Sequence, residues 1–331
     1  MTAVYLTIDT EYAFRLPGAG GPGTRAENFI RSIACDTAAG SVGIFHQMAV
    51  LDAHGLKGVF FVDPMPAMIW GTDAIADVVG PIVARGHDVQ LHCHTEWLEY
   101  GGFDDLVEGR RGRNIKDFPL EIQRRILAWA RDTLVAAGAP PPIAFRAGNY
   151  GADDDTLRAL AALGIAYDTS HCPALTAKGD CAISLGPADR QPRAHAGVVE
   201  VPAGCIGARG AGLRHAQLTA LSLRELIDAL GHARDTGLPS FTLVSHSFEL
   251  LSRDRQRINR IVSRRFARLC RTLAAMPGVT TETYASRPPA IGSTDVDGAP
   301  LPHNPLRIGA RMIEQAMANA LYGRGTGFLR G

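Results

Sequence analysis

Short apolar runs ending in polar residues alternate with helix-spaced stretches along most of this chain, and that alternation leaves few folds open. Val4 to Asp9 reads as a strand. Ser41 to His54 carries apolar residues at helical spacing, with Ser41 as cap and Gly55 as stop. Leu56 to Val62 is the next strand, Asp73 to Arg85 a helix stopped by Gly86, and Asp88 to His92 a strand. The series continues with a helix over 119–137, a strand over 143–146, a helix over 153–163 and strands over 165–169 and 198–202. It ends with a helix over 222–236, a strand over 240–246, a helix over 254–275 and a strand over 279–284. Repeated strand-then-helix units imply an α/β chain with a parallel sheet covered by helices. Their number favours a distorted (β/α) barrel of about seven parallel strands over an open doubly wound sheet. No G-x-G-x-x-G follows the first strand, so a dinucleotide site has no support.

Residues 1–286 are assigned to this barrel, and residues 287–331 to a Pro/Gly-rich extension that leaves it and carries a short helix over 306–322. That helix is expected to cover the barrel; pairing with a second chain or lying on a membrane are its other uses. Glu99 to Phe118, Pro187 to Ala196 and Ala203 to Leu213 read as loops. A formal net charge of +1 gives no bulk field for nucleic acid. Six scattered cysteines without a C-x-x-C, and a start (MTAVYLTIDTEY) without signal-peptide features, point to free thiols in the cytoplasm. No apolar run is long enough for a transmembrane segment. A homo-oligomer is compatible with the sequence.

In such a barrel the active residues lie at the C-terminal ends of strands. Those ends here hold Asp9 and Glu11; His92, Cys93, His94 and Glu96; Arg146, Asn149 and Tyr150; Asp168; and His246. Residues two apart on a strand share a face, so His92 and His94 can grip one cation while Cys93 turns into the core. Two histidines and a carboxylate with an open position form a catalytic zinc arrangement. An isolated H-x-H is as readily a pair of buried, satisfied histidines. The remote His195, His215 and His303 are read as structural. Arg110, Arg111, Arg113 and Lys116 crowd one loop, as a solvated basic stretch or as a grip for a phosphate or carboxylate on a nucleotide- or lipid-linked substrate.

The segment FRAGNYGADDDTLRALAALGIAYDTSH, residues 145–171, resembles the corresponding motif region of the polysaccharide deacetylase family, the NodB-homology carbohydrate esterases. The chain is similar to that family also at LTIDTEY, GHDVQLHCHTEW, GVVEVPAG and LVSHS. The resemblance implies hydrolytic removal of an acetyl or similar acyl group from an amino sugar or glycan precursor, with one divalent metal ion, most simply Zn2+. It implies Asp9 as base, Arg146 orienting it, the Tyr150 backbone N–H at the oxyanion and His246 protonating the leaving amine. Glu11 and His92 match metal ligands; the third protein ligand is His94 or Glu96, with His94 favoured because neutral imidazole is the commoner ligand and shares the face of His92. Asn149, Asp168 and Trp97 are expected at the substrate. The chain departs from the family pattern where Thr10 separates the two acids, where Glu96 stands four residues after His92 and where no proline precedes Tyr150. A carbohydrate-binding barrel with impaired turnover, and a hydrolase of another non-peptide C–N bond, are the alternative readings.

Overall fold

A computed structural model describes residues 1–101, 104–210, 212–292 and 298–323. Its centre is a curled, mostly parallel sheet. We number its strands β1 (Thr2–Thr10), β2 (Val59–Val62), β3 (Asp88–Cys93), β4 (Ala144–Ala147), β5 (Tyr167–Asp168), β6 (Arg193–His195), β7 (Val198–Glu200), β8 (Ser240–His246) and β9 (Val279–Thr281). Their order is β8-β1-β2-β3-β4-β5-β7-β6, with β9 also on β1. Pairing is parallel throughout except for β6 on β7, so seven parallel strands run from β8 to β7. That agrees with the expected barrel. The ladder is not closed between β7 and β8. Instead Gly204 and residues 216–218 lie along β8: the Gly204 N–H donates to the Thr242 carbonyl, and Val244 donates to the Ala216 carbonyl and accepts from the Leu218 N–H.

The principal helices are α1 (Ile44–Asp52), α2 (Thr72–Ala84), α3 (Leu120–Ala136), α4 (Asp154–Ala162), α5 (Leu223–Asp235), α6 (Arg260–Ala274) and α7 (Pro305–Tyr322). Strands β1 to β4 are buried on both faces, which is why they read as largely apolar runs rather than alternating ones, whereas β6 and β9 at the margins are half-buried or exposed. All nine residues of β1 are buried, and Thr7 is tolerated there because its hydroxyl donates to the Leu243 carbonyl of β8. Buried Gln90 on β3 accepts from the N–H groups of Ile143 and Ala144 and so fixes where β4 begins.

Several expectations change. Ser41 does not cap α1; it sits in a two-strand hairpin and bonds Asp36, and the helix starts after Gly43 without a side-chain cap. Helix α6 begins at Arg260 rather than at 254, because Ser252 and Gln256 close a turn on the Asp254 carboxylate and Asn259 supplies the cap. The segment expected as a loop over 203–213 holds a strand that pairs with Leu213–His215. Residues from 287 onward were expected to leave the barrel; those described run back across it. The Gly292 N–H reaches the Pro192 carbonyl, Gly207 reaches Leu301, and His232 reaches Ala299. Backbone groups of an extended strap need partners, and the barrel surface supplies them. Among the described residues no helix is long and apolar enough to cross a membrane.

Candidate metal centre and active site

Adjacent β1, β2, β3 and β4 bring their C-terminal ends to one rim. Register sets Asp9 beside Phe61 and His246, and His92 beside Arg146. Glu11 follows β1 directly and turns its carboxylate toward β3.

Glu11, His92 and His94 form the one group of metal-ligating type among the described residues, their donor atoms all within 4.8 Å of one another. Glu11 Oε2 lies 2.5 Å from His94 Nε2 and 3.4 Å from His92 Nε2. Neither contact has the alignment of a hydrogen bond, and Glu11 Oε2 is buried without a hydrogen-bond partner. The three atoms converge on a point rather than aim at one another. The far sides of both rings explain the arrangement. His92 Nδ1 lies 2.7 Å from the Arg146 carbonyl, which can only accept, so Nδ1 carries the hydrogen and Nε2 presents a lone pair. His94 Nδ1 lies 3.0 Å from Glu96 Oε2, which fixes the same tautomer of neutral His94. Burial alone would keep Glu11 protonated, but His94 and His92 outweigh it and hold its carboxyl well below the usual range. Burial likewise opposes a charge on His94, and Glu11 and Glu96 overcome it. Two carboxylates around one imidazole are an arrangement that wants a cation, and the donor set fits a divalent ion with an open position.

Glu96 therefore stands behind His94 rather than beside the converging atoms. Its Oε1 accepts from Asn149 Nδ2 at 2.8 Å. Asn149 and Tyr150 both take left-handed backbone (φ 56°), which costs about 1 kcal/mol or more each in residues other than glycine. Gly148 is required for another reason: a Cβ there would lie 2.6 Å from His94 Nδ1, so the ring rests directly against the backbone.

Beside the cluster, Arg146 Nη1 lies 2.5 Å from Asp9 Oδ1, both side chains almost fully buried. Its guanidinium also covers the Phe61 ring at 4.5 Å. Asp9 Oδ2 faces His246 Nε2 at 3.8 Å. On the other side of that ring, Glu249 Oε2 is 3.9 Å from Nδ1. Glu249 accepts from Gln217 at 2.6 Å and from the Thr219 hydroxyl, and so is held in place. Burial lowers the basicity of His246, but Glu249, then Asp9 and Glu11, reverse that and push its pKa up to about 9.

Not every expected residue reaches this rim. Trp97 is 1% exposed and packs edge-on against Phe14 and Trp70, so its ring is a core group rather than a platform at the surface. Asp168 is wholly buried; it accepts from the Ser170 N–H and hydroxyl and lies across from Glu200. Burial and the Asp168 charge raise Glu200 well above the usual carboxylate range, so this pair holds a proton inside the barrel. The Tyr150 ring packs on Cys172, Ala203 and Val244. In the basic loop, Arg113 lies 3.8 Å from Glu96 and 3.3 Å from Asp180, which puts it beside the carboxylate that holds the His94 ring.

Two residues of the site were missed. Glu249 has no pattern of its own and follows His246 by three positions in a turn. Asp63 directly follows β2, and the strand-end rule applied at Asp9 finds it. It is 1% exposed, accepts from the Met65 N–H at 3.0 Å and the His94 N–H at 3.4 Å, and leaves Oδ2 without a partner. Burial pushes its carboxyl up to about 6, against the pull of His94 and His92.

No family model matches the chain, and no curated protein sequence does. Solved structures do. A candidate polysaccharide deacetylase from Mycobacterium smegmatis aligns with a TM-score of 0.53 at 17% identity, over 86% of this chain and 87% of that one. The 4-alpha-glucanotransferase of Thermococcus litoralis aligns with the same TM-score at 11% identity, over 86% of this chain and 39% of that one. One barrel thus serves different named chemistries, and chemistry has to be argued from the site. The chain has the distorted (β/α)-barrel fold of these two structures.

Proposed function

We propose that this protein is a metal-dependent hydrolase that removes an acetyl or similar acyl group from an amino sugar or glycan precursor. The observation that carries the proposal is the joining, on one rim, of a Glu11–His92–His94 cluster to an Asp9–Arg146 pair and His246. A divalent ion, with Zn2+ the best match to two imidazoles and a carboxylate, would acidify a water and polarise the acyl carbonyl.

The chain's own groups divide the remaining work. Arg146 occupies Asp9 Oδ1, leaving Oδ2 as the acceptor for a proton from the attacking water. His246 faces the same oxygen at 3.8 Å, and Glu249 and Asp9 beside it favour its charged form, so it is placed to protonate a departing nitrogen. An amide needs that proton, since an amine anion is a poor leaving group. Glu96 and Gly148 hold the His94 ring. The backbone N–H of Tyr150, in the left-handed turn behind Asn149, is the donor we assign to the oxyanion. Arg113, with Arg110, Arg111 and Lys116 in the same loop, suits an anionic substituent on the substrate.

The test is acetate release from N-acetylhexosamine derivatives by the metal-loaded protein, with chelated protein and the Asp9→Asn variant as controls. Activity that needs both metal and Asp9 supports the reading. Stoichiometric metal without acetate release from any such sugar overturns it.

A further inference from the structure

Helix α7 is docked the wrong way round for an ordinary surface helix. Its polar residues face the barrel: Arg307 pairs with Asp228 at 3.2 Å, Arg311 with Glu225 at 3.1 Å, and Glu314 with Arg265 at 2.6 Å. Arg311 is the only fully buried residue of the helix. Its large apolar residues, half-buried Ile308 apart, face out. Leu306 is 85% exposed, Ile313 65%, Met312 60%, Met317 55% and Leu321 54%. They account for five of the nine large exposed apolar side chains among the described residues. A patch of this kind, on the order of 500 Å2, marks an interaction surface.

The spacing says what covers it. Leu306, Ala310, Ile313, Met317 and Ala320 follow one another at four, three, four and three residues, which is the seam of a coiled coil. No charge interrupts that seam, and Gly309 and Ala316 flank it with small side chains that admit a second helix closely. A membrane is the poorer match. Interfacial helices carry outward basic residues and aromatic rings beside the apolar face. Here both arginines of the helix are turned inward into ion pairs, and the outward face has neither ring nor charge.

We propose that α7 pairs with α7 of a second copy of this chain, antiparallel about a two-fold axis. Such an interface is self-complementary by symmetry: Leu306 meets Ala320, Ala310 meets Met317, and Ile313 meets its own copy at the axis. The patch is smaller than the about 800 Å2 per partner of a standard interface, which suits a reversible dimer rather than an obligate one. The inward edge of α7 borders a cleft of about 400 Å3 lined by Thr219, Glu249 and Tyr322.

Sedimentation velocity of the full chain over a micromolar series tests this. The wild type is expected to shift from one chain to two, and Ile313→Glu with Met317→Glu to remain one chain with unchanged circular dichroism and acetate release. Ile313→Cys is expected to form a reducible cross-linked dimer under mild oxidation, a readout independent of whether the glutamate variants fold. A wild type that stays monomeric throughout, or an Ile313→Cys protein that does not cross-link, overturns the proposal. So does flotation of the monomeric wild type with neutral or anionic phospholipid vesicles that the glutamate substitutions abolish.

Discussion

Glu249 approaches His246 Nδ1 at 3.9 Å from the side opposite Asp9, whose Oδ2 stands 3.8 Å from Nε2. The imidazole is therefore flanked by two carboxylates, with Glu11 acting from further off. In the metal-free protein, an NMR titration of His246 is expected to give a midpoint near 9. Glu249→Gln is expected to lower it by about 1 unit or more, since an opposite charge at this distance is worth that much. The alkaline limb of activity should move to lower pH with it. The sign for stability follows from the raised folded-state value. The contribution of His246 is full below its unfolded pKa of about 6.5 and is lost as pH rises through about 9.

Removing Glu11, His92 or His94 is expected to abolish metal retention and acyl hydrolysis together. Glu96→Gln should behave differently. It leaves the three converging atoms in place but weakens the group that orients His94, so metal affinity should fall about 10- to 100-fold while saturating metal restores much of the rate. Competition with a chromogenic chelator separates the two outcomes. An equal loss in Glu96→Gln and His94→Ala would place Glu96 on the ion itself.

Gly148→Ala should damage the site without unfolding the chain. The added methyl would meet the His94 ring at 2.6 Å, and that ring is also held by Glu96. We expect about 1–3 kcal/mol of destabilisation in denaturant melts and a metal affinity at least as poor as in Glu96→Gln.

Arg146→Met leaves Asp9 buried without its cation and should cost about 3–5 kcal/mol. Asp9→Asn combined with Arg146→Met should recover a large part of that stability, because no uncompensated charge remains, yet stay inactive. A double-mutant cycle measured by urea unfolding gives the coupling. Near-additive losses would mean the pair is not the reason both groups are buried.

The barrel was legible because strands β1 to β4 are buried on both faces and its helices end at glycines such as Gly86 and Gly138, so each element announces its own limits. Strand ends then pointed at Asp9, Glu11, His92, His94, Arg146 and His246 by a rule that needs only topology. The choice between His94 and Glu96 was not legible. It depends on which side of one imidazole ring each group meets, and Gly148, 54 positions after His94, helps to set that. Trp97 misled because an aromatic beside a strand end looks alike whether it caps a pocket or, as here, wedges between Phe14 and Trp70. The inward turn of α7 was hidden too, since its pairing partners Asp228, Glu225 and Arg265 lie on other helices.

Strand β1 ends in Asp9 and runs directly into Glu11, and the strands beside it at the rim come from distant parts of the sequence: β2 soon after it, with β3 next to β2, and β8 far later. During synthesis Glu11, His92 and His94 can come together once residue 94 has emerged. His246 cannot join them until far more of the chain has been made and has paired across the sheet. A nascent chain would therefore hold the first cluster of the rim well before the rim is complete, because the pairing of β8 with β1 is among the longest-range contacts of the fold.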